Sequence, residues 1–258
     1  MIQIDTHAHI FRANESAAKV VRYVPNYDAS ANDYRKNLKD FNFTHGVLIQ
    51  PSFLGTDNSY IFSAINEFDN LRAVAVINPN EYEVLIPQIN KICGIRLNLI
   101  GKDKPDFTSN EWQECLKFLK QHNLHVEIHK ELDLIEPIIK ELYEMNAKIV
   151  IDHLARPSKT NANLLDGLKK YNNGDIYFKV SGFYRLSDDL KFAKDVFNKL
   201  LSFYKKDRFV FGSDWPHTNY ESLINYEKAV KDFDFVVENK SLKEQILSDN
   251  AKDLFKIS

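Results

Sequence analysis

The chain has 258 residues, 44% hydrophobic and 27% charged, with 34 Lys and Arg against 36 Asp and Glu. That balance supplies a sizeable core and excludes a disordered chain, while a formal net charge of −2 leaves no basic footprint for nucleic acid. Two cysteines, Cys93 and Cys115, exclude a cysteine-rich zinc site by number alone.

Met1 leads straight into Ile2-Gln3-Ile4-Asp5, with no cationic segment, apolar stretch or cleavage site before the first strand. The expectation is a reduced, cytoplasmic protein with no membrane partner. Short β-branched runs then alternate with longer segments of helical period. Strands are predicted near Ile2–Asp5, Gly46–Gln50, Ala73–Ile77, Ile95–Asn98, His125–His129, Lys148–Asp152, Ile176–Ser181 and Arg208–Gly212. Helices are predicted at Ala31–Phe41, Asn58–Phe68, Glu81–Lys91, Ser109–Gln121, Leu132–Glu144, Asn161–Tyr171, Asp188–Tyr204, Tyr220–Asp234 and Leu242–Phe255. Such alternation points to a parallel sheet, and eight repeats predict a single (β/α)8 TIM barrel over residues 1–258. No Gly-rich phosphate turn follows an early strand, which speaks against a doubly wound nucleotide-binding sheet.

Chemistry in a barrel collects at the C-terminal strand ends. The first run closes in Asp5-Thr6-His7-Ala8-His9, where two imidazoles one residue apart share a face of the strand. Later ends carry Gln50-Pro51-Ser52, Arg96-Leu97-Asn98, His129, His153 with Arg156, Ser181 to Arg185, and Ser213-Asp214-Trp215-Pro216-His217. One histidine at a strand end is most simply a satisfied polar residue. Five of them with an aspartate read as a site. His7, His9, His129 and Asp214 suit a divalent ion, zinc in first place, with one position open for a water whose pKa falls to roughly 7. Asp214 would take the proton of that water and His153 would stabilise the oxyanion. His45, His122 and His125 receive no role.

Arg96, Arg156 and Arg185 all fall just beyond predicted strands, and guanidinium groups grip carboxylates in pairs of hydrogen bonds, so a small anionic substrate is expected. Ser52, Tyr23, Asn58, Asn98, Lys102 and His217 lie in loops on the same rim and complete the expected pocket. Glu127 and Lys179 have the parity of His129 and Ser181. They are expected to face the barrel interior, either as a buried pair or with Lys179 supporting Asp214.

Taken together, Asp5-Thr6-His7-Ala8-His9, Gly46-Val47-Leu48-Ile49-Gln50-Pro51-Ser52, Gly55-Thr56-Asp57-Asn58, Gly94-Ile95-Arg96-Leu97-Asn98, Asp152-His153-Leu154-Ala155-Arg156-Pro157, Lys179-Val180-Ser181-Gly182 and Gly212-Ser213-Asp214-Trp215-Pro216-His217 resemble the amidohydrolase superfamily, in its family 2 branch. The likeness runs over nearly the whole chain and lies nearest the lactonases of that branch. It implies hydrolysis of a ring ester, with Asp214 activating water, His7, His9 and His153 polarising the carbonyl, and Arg96, Arg156 and Arg185 holding carboxylates. Two departures stand out. Members that open a dicarboxylated ring carry a second arginine where this chain has Lys102. They also work without metal and lack a histidine at the end of strand five, where His129 stands. If His129 shares an ion with His7 and His9, the pair are ligands; otherwise they are donors to a lactone carbonyl. The competing functions are a metal-dependent decarboxylase of an unsaturated acid and a barrel that binds a small acid without catalysis. The sequence leaves a homodimer open.

Overall fold

In the computed structural model, which describes residues 2–18, 21 and 23–257, eight strands follow one another around a single parallel sheet. They are β1 (Ile4–Ala8), β2 (His45–Ile49), β3 (Leu71–Ala75), β4 (Ile92–Asn98), β5 (His125–His129), β6 (Ile149–Ile151), β7 (Ile176–Val180) and β8 (Phe209–Phe211), each paired with the next. Their residues are almost all buried, as expected for strands covered on both faces. The outer layer contains α1 (Ala31–Asp40), α2 (Ser59–Glu67), α3 (Asn110–Gln121), α4 (Leu132–Glu144), α5 (Leu190–Phe203), α6 (Tyr226–Val236), α7 (Lys240–Leu247) and α8 (Asp249–Lys252). The (β/α)8 barrel is therefore the architecture.

Caps in the sequence set several helix starts. Ser30 and Asp33 form a reciprocal box at α1, Ser109 accepts from the Trp112 amide at α3, and Asn225 accepts from the Lys228 amide at α6. Local chemistry also explains where the predicted helices are not α-helical. Residues 79–88 form a kinked 3₁₀ segment, with Pro79 at its start and Pro87 inside. Residues 162–171 are 3₁₀ as well. The helix predicted from Tyr220 begins six residues later, at the Asn225 cap, and the last predicted helix breaks at Ser248 into α7 and α8.

The barrel interior is layered. At the bottom, Ile4, Val47, Ile49, Val74, Val150 and Val210 pack on Leu254 and Phe255, so the segment after α8 plugs the N-terminal end. Above them the interior turns polar, with His125, Glu127 and Lys179 fully buried. Register brings Arg96 beside Glu127 and Asn98 beside His129 on β4 and β5.

No regular ladder joins β8 to β1. The seam instead closes just above β8, through an Ala8–Trp215 bridge, the Asp214 amide on the His7 carbonyl (2.8 Å) and the His9 amide on the Trp215 carbonyl (2.7 Å). Below this, side chains do the joining, and Thr6 Oγ1 donates to the Phe211 carbonyl at 2.6 Å. Asp5 Oδ1 accepts from the Ser213 amide at 2.8 Å, and its Oδ2 accepts from Ser213 Oγ at 2.6 Å and Tyr226 Oη at 3.0 Å. No helix among the described residues is long and apolar enough to cross a membrane.

Candidate active site

The C-terminal mouth of the barrel holds a cavity of about 230 Å³, lined by residues from β4, β5 and the loops after β1, β2, β6, β7 and β8. Sites for drug-sized ligands run from ~300 Å³ upward, so this space suits a small ring. His9, Arg96, His129, His153, Arg185 and Asp214 line it, as do Tyr23, Ser52, Asn98 and Arg156. Three expected pocket residues sit elsewhere. Asn58 is buried and bonded to the Val76 backbone, Lys102 is exposed away from the cavity, and His217 is buried behind Asp214 with its Nδ1 3.4 Å from Tyr184 Oη.

Strand parity turns His7 and His9 to the same side, with their Nε2 atoms 3.3 Å apart. Asp214 Oδ1 completes a triangle, 3.6 Å from His7 Nε2 and 3.8 Å from His9 Nε2, and has no hydrogen-bond partner among the described residues although it is buried. Three donors at such spacing fit one ion with bonds of ~2.0–2.2 Å. His9 is ready as a ligand, because Ile49 O lies 2.7 Å from its Nδ1 and fixes the proton there. His7 faces two partners at Nδ1: Asp152 Oδ1 at 3.3 Å and the ammonium of Lys179 at 2.9 Å. His129 stands apart from the triangle. Its Nδ1 lies 3.4 Å from an Arg96 terminal nitrogen, its ring packs edge-on against His153, and its Nε2 has no hydrogen-bond partner among the described residues.

The other oxygen of Asp214 is fully engaged. Oδ2 accepts from Arg185 Nε and from Tyr184 Oη, both at 2.6 Å. Burial pushes this carboxyl upward, but Arg185, followed by His153, His7 and His9, outweighs burial and holds it well below the usual range. Tyr184 was not singled out in the sequence; its place in an irregular 3₁₀ turn after β7 gives no parity to read.

His153 and Arg156 reach the cavity through an unusual turn. His153, Leu154, Ala155 and Arg156 all have φ between 50° and 64°, closed by the Arg156 amide on the His153 carbonyl at 2.8 Å. Left-handed non-glycine residues cost roughly 1–2 kcal/mol each. With three residues per turn, the first and fourth side chains share a face, so His153 and Arg156 both line the cavity while Leu154 and Ala155 pack into the core. Burial lowers His153 to about 4, leaving a neutral ring whose Nδ1 lies 2.9 Å from Ser181 Oγ. When that hydroxyl donates to Nδ1, the ring proton sits on Nε2, which lies 3.9 Å from Asp214 Oδ2.

Gly182 makes room for this ring. Its φ is +57°, and a Cβ there would lie 2.5 Å from His153 Nδ1. Gly182→Ala is expected to cost about 1–3 kcal/mol in a urea melt and to lower turnover by displacing His153. A variant as stable and active as the parent would show that the loop yields freely.

Beneath the mouth lies a buried ion network. Lys179 Nζ bonds Glu127 Oε2 at 2.5 Å and lies 3.8 Å from Asp152 Oδ1, while Arg96 bonds Asp152 Oδ2 through Nε (3.3 Å) and a terminal nitrogen (3.0 Å). The buried Glu127–Lys179 pair is present, and the lysine supports His7 rather than Asp214. Burial, then Asp152, raises Glu127; Asp152 itself is held low, as His7, Arg96 and Lys179 outweigh its burial.

The family model described as amidohydrolase matches residues 4–257. An Acinetobacter baumannii structure described as a probable 2-pyrone-4,6-dicarboxylic acid hydrolase with citric acid bound is 34% identical, covers 99% of this chain and all of its own, and superposes with a TM-score of 0.94. Among curated proteins, 2-pyrone-4,6-dicarboxylate hydrolase of Comamonas testosteroni is 24% identical over 98% of this chain and 89% of its own length. The 4-sulfomuconolactone hydrolase of Hydrogenophaga intermedia is 23% identical over 97% and 88%.

Proposed function

The chain belongs to the amidohydrolase family, and from that premise we propose that it opens a small carboxylated lactone by attack of water activated at Asp214. One observation carries the reading: a carboxylate with one oxygen anchored and the other unpartnered, set among neutral imidazoles on the wall of a small cavity. Relatives that match over nearly the whole chain are lactone hydrolases, which favours ring opening over decarboxylation. The citric acid held by the Acinetobacter relative is in keeping with an anion-binding mouth.

In the proposed reaction, Asp214 Oδ1 takes a proton from water as its oxygen bonds the lactone carbonyl carbon. The carbonyl oxygen becomes an oxyanion that accepts from His153 Nε2. As the tetrahedral centre collapses, the ring C–O bond breaks and Asp214 returns the proton to the departing oxygen. His7, His9 and Asp214 would hold a divalent ion, zinc in first place, which would supply a water of lowered pKa and polarise the carbonyl. A metal-free form of the same reaction is favoured by Lys179, whose ammonium at His7 Nδ1 leaves the proton on Nε2 and makes His7 a donor. The proposal places the protein in a reducing compartment such as the cytoplasm, where its two free, buried cysteines stay reduced.

The test is turnover of a panel of pyrones, muconolactones and aldonolactones, with metal analysis of protein purified without added metal. Ring opening of at least one carboxylated lactone and about one zinc per chain, lost in His9→Ala, are expected. Failure across the panel with metal-replete protein would remove the lactonase reading, and an active protein without metal would leave Lys179 and His7 as the polarising pair.

A further inference from the structure

We infer that Ser181 is a positioning residue that selects which nitrogen of His153 carries the proton, so that this ring meets the lactone carbonyl as a donor; this rests on the lactonase reading. A neutral imidazole donates from one nitrogen and accepts at the other, so whatever occupies Nδ1 decides what Nε2 can do. His9 carries its proton on Nδ1, against the Ile49 carbonyl, and has none at Nε2. His7 has a proton at Nε2 only while the Lys179 ammonium holds its Nδ1, and as a metal ligand it would give that proton up. His153 differs. Its Nδ1 faces a neutral hydroxyl, and the ring stands outside the triangle of His7, His9 and Asp214 Oδ1, so its donor role is common to the metal-bound and metal-free forms.

The direction of the Ser181 bond follows from its two acceptors. Ser181 Oγ lies 2.9 Å from His153 Nδ1 and 3.5 Å from the Lys179 carbonyl. Hydroxyl groups donate to oxygen at about 2.5–3.0 Å, so the carbonyl is beyond ordinary reach and the ring nitrogen takes the proton. The opposite assignment would leave the hydroxyl with that distant acceptor and turn a bare Nε2 toward Asp214 Oδ2, 3.9 Å away. Both side chains are buried, which makes an unmade hydrogen bond costly on either of them. Ser181 stands two residues beyond Lys179, so β7 and its first loop residue supply the groups at Nδ1 of both His7 and His153. Gly182, without a Cβ, lets the ring lie against the hydroxyl.

Nitrogen-15 NMR reads the tautomer without turnover. In protein labelled at the histidine ring nitrogens, at pH 7.5, the His153 signals are identified by their loss in His153→Gln. The parent should show Nε2 protonated and Nδ1 bare, and Ser181→Ala should show the proton shared between the two nitrogens. On lactones that turn over, Ser181→Ala should lower kcat by ~10-fold or more with KM little changed, the pattern of a weakened oxyanion donor. Ser181→Cys, whose thiol is a weak donor of similar size, should recover part of the loss, with urea midpoints confirming that both variants fold. A parent ring protonated at Nδ1, a Ser181→Ala ring still fixed as the Nε2 tautomer, or a Ser181→Ala variant with the parent kcat would overturn the inference while leaving lactone hydrolysis standing. If the tautomer shifts as expected but no lactone is opened, selection by Ser181 stands and the lactonase reading falls.

Discussion

Replacing Asp214 by Asn is expected to lower kcat for lactone hydrolysis by about 10³-fold or more, with KM for an anionic substrate unchanged or lower. The split follows from the two carboxylate oxygens. Oδ2 is fixed by Tyr184 and Arg185, and the amide can keep its carbonyl oxygen there to accept both hydrogen bonds. Its NH₂ group then takes the place of Oδ1, so a donor stands where the base must act, opposite His7 and His9. Meanwhile a negative charge disappears beside Arg185 and Arg156, which favours an incoming carboxylate. Steady-state kinetics with a calorimetric Kd for a substrate analogue would check both halves. A variant within 10-fold of the parent kcat would move the base elsewhere, with His129 the next group to test because its Nε2 is also unpartnered.

The second large effect is on stability in mild acid. Burial depresses His9 to about 3, and His153 and His217 to about 4, from 6.5 in an unfolded chain. A depressed histidine stabilises the fold fully above 6.5 and loses that contribution as pH falls toward its folded value, because the unfolded state takes up protons the native state refuses. Glu127 works in the opposite direction, since its raised pKa lets the native chain hold a proton that the unfolded chain releases. Three histidines against one glutamate leave a net uptake on unfolding that grows to about two protons by pH 5, a mean slope of about 2 kcal/mol per pH unit between pH 6.5 and 5, which Asp5, also raised by burial, reduces. His7, His125 and His129 are depressed as well and steepen it. Urea midpoints at pH 7.5, 6.5 and 5.5 would measure this, and a flat profile would mean that the buried rings find partners for a second proton.

Most of the barrel and much of its rim were legible in the sequence, for a common reason. Strands buried on both faces are apolar runs, and in a parallel barrel the polar residue that follows such a run belongs to the mouth. His7, His9, His129, His153, Arg156, Arg185 and Asp214 could be placed by that rule. Irregular backbone escaped it. Tyr184 and the left-handed turn from His153 to Arg156 depend on dihedral angles that no periodicity encodes, and Gly182 was readable only as part of a motif. Lys102 and Asn58 failed as pocket residues because a loop near the rim can turn its side chains outward or against its own backbone. The Lys179–His7 contact joins two residues 172 positions apart, beyond the reach of any local pattern.

The side-chain seam at Asp5 has a consequence for how the protein comes into being. Asp5, His7 and His9 lie in or just past the first strand, and their partners Ser213 and Asp214 are synthesised some two hundred positions later. A nascent chain that ends at Phe211 has every strand, with Thr6 Oγ1 able to donate to the Phe211 carbonyl, but it lacks Ser213, whose amide and hydroxyl bind Asp5, and the carboxylate that faces the two imidazoles. Catalytic competence would therefore arrive abruptly, once Ser213 and Asp214 are in place, and a product terminated before them would be inactive however much of its sheet had formed.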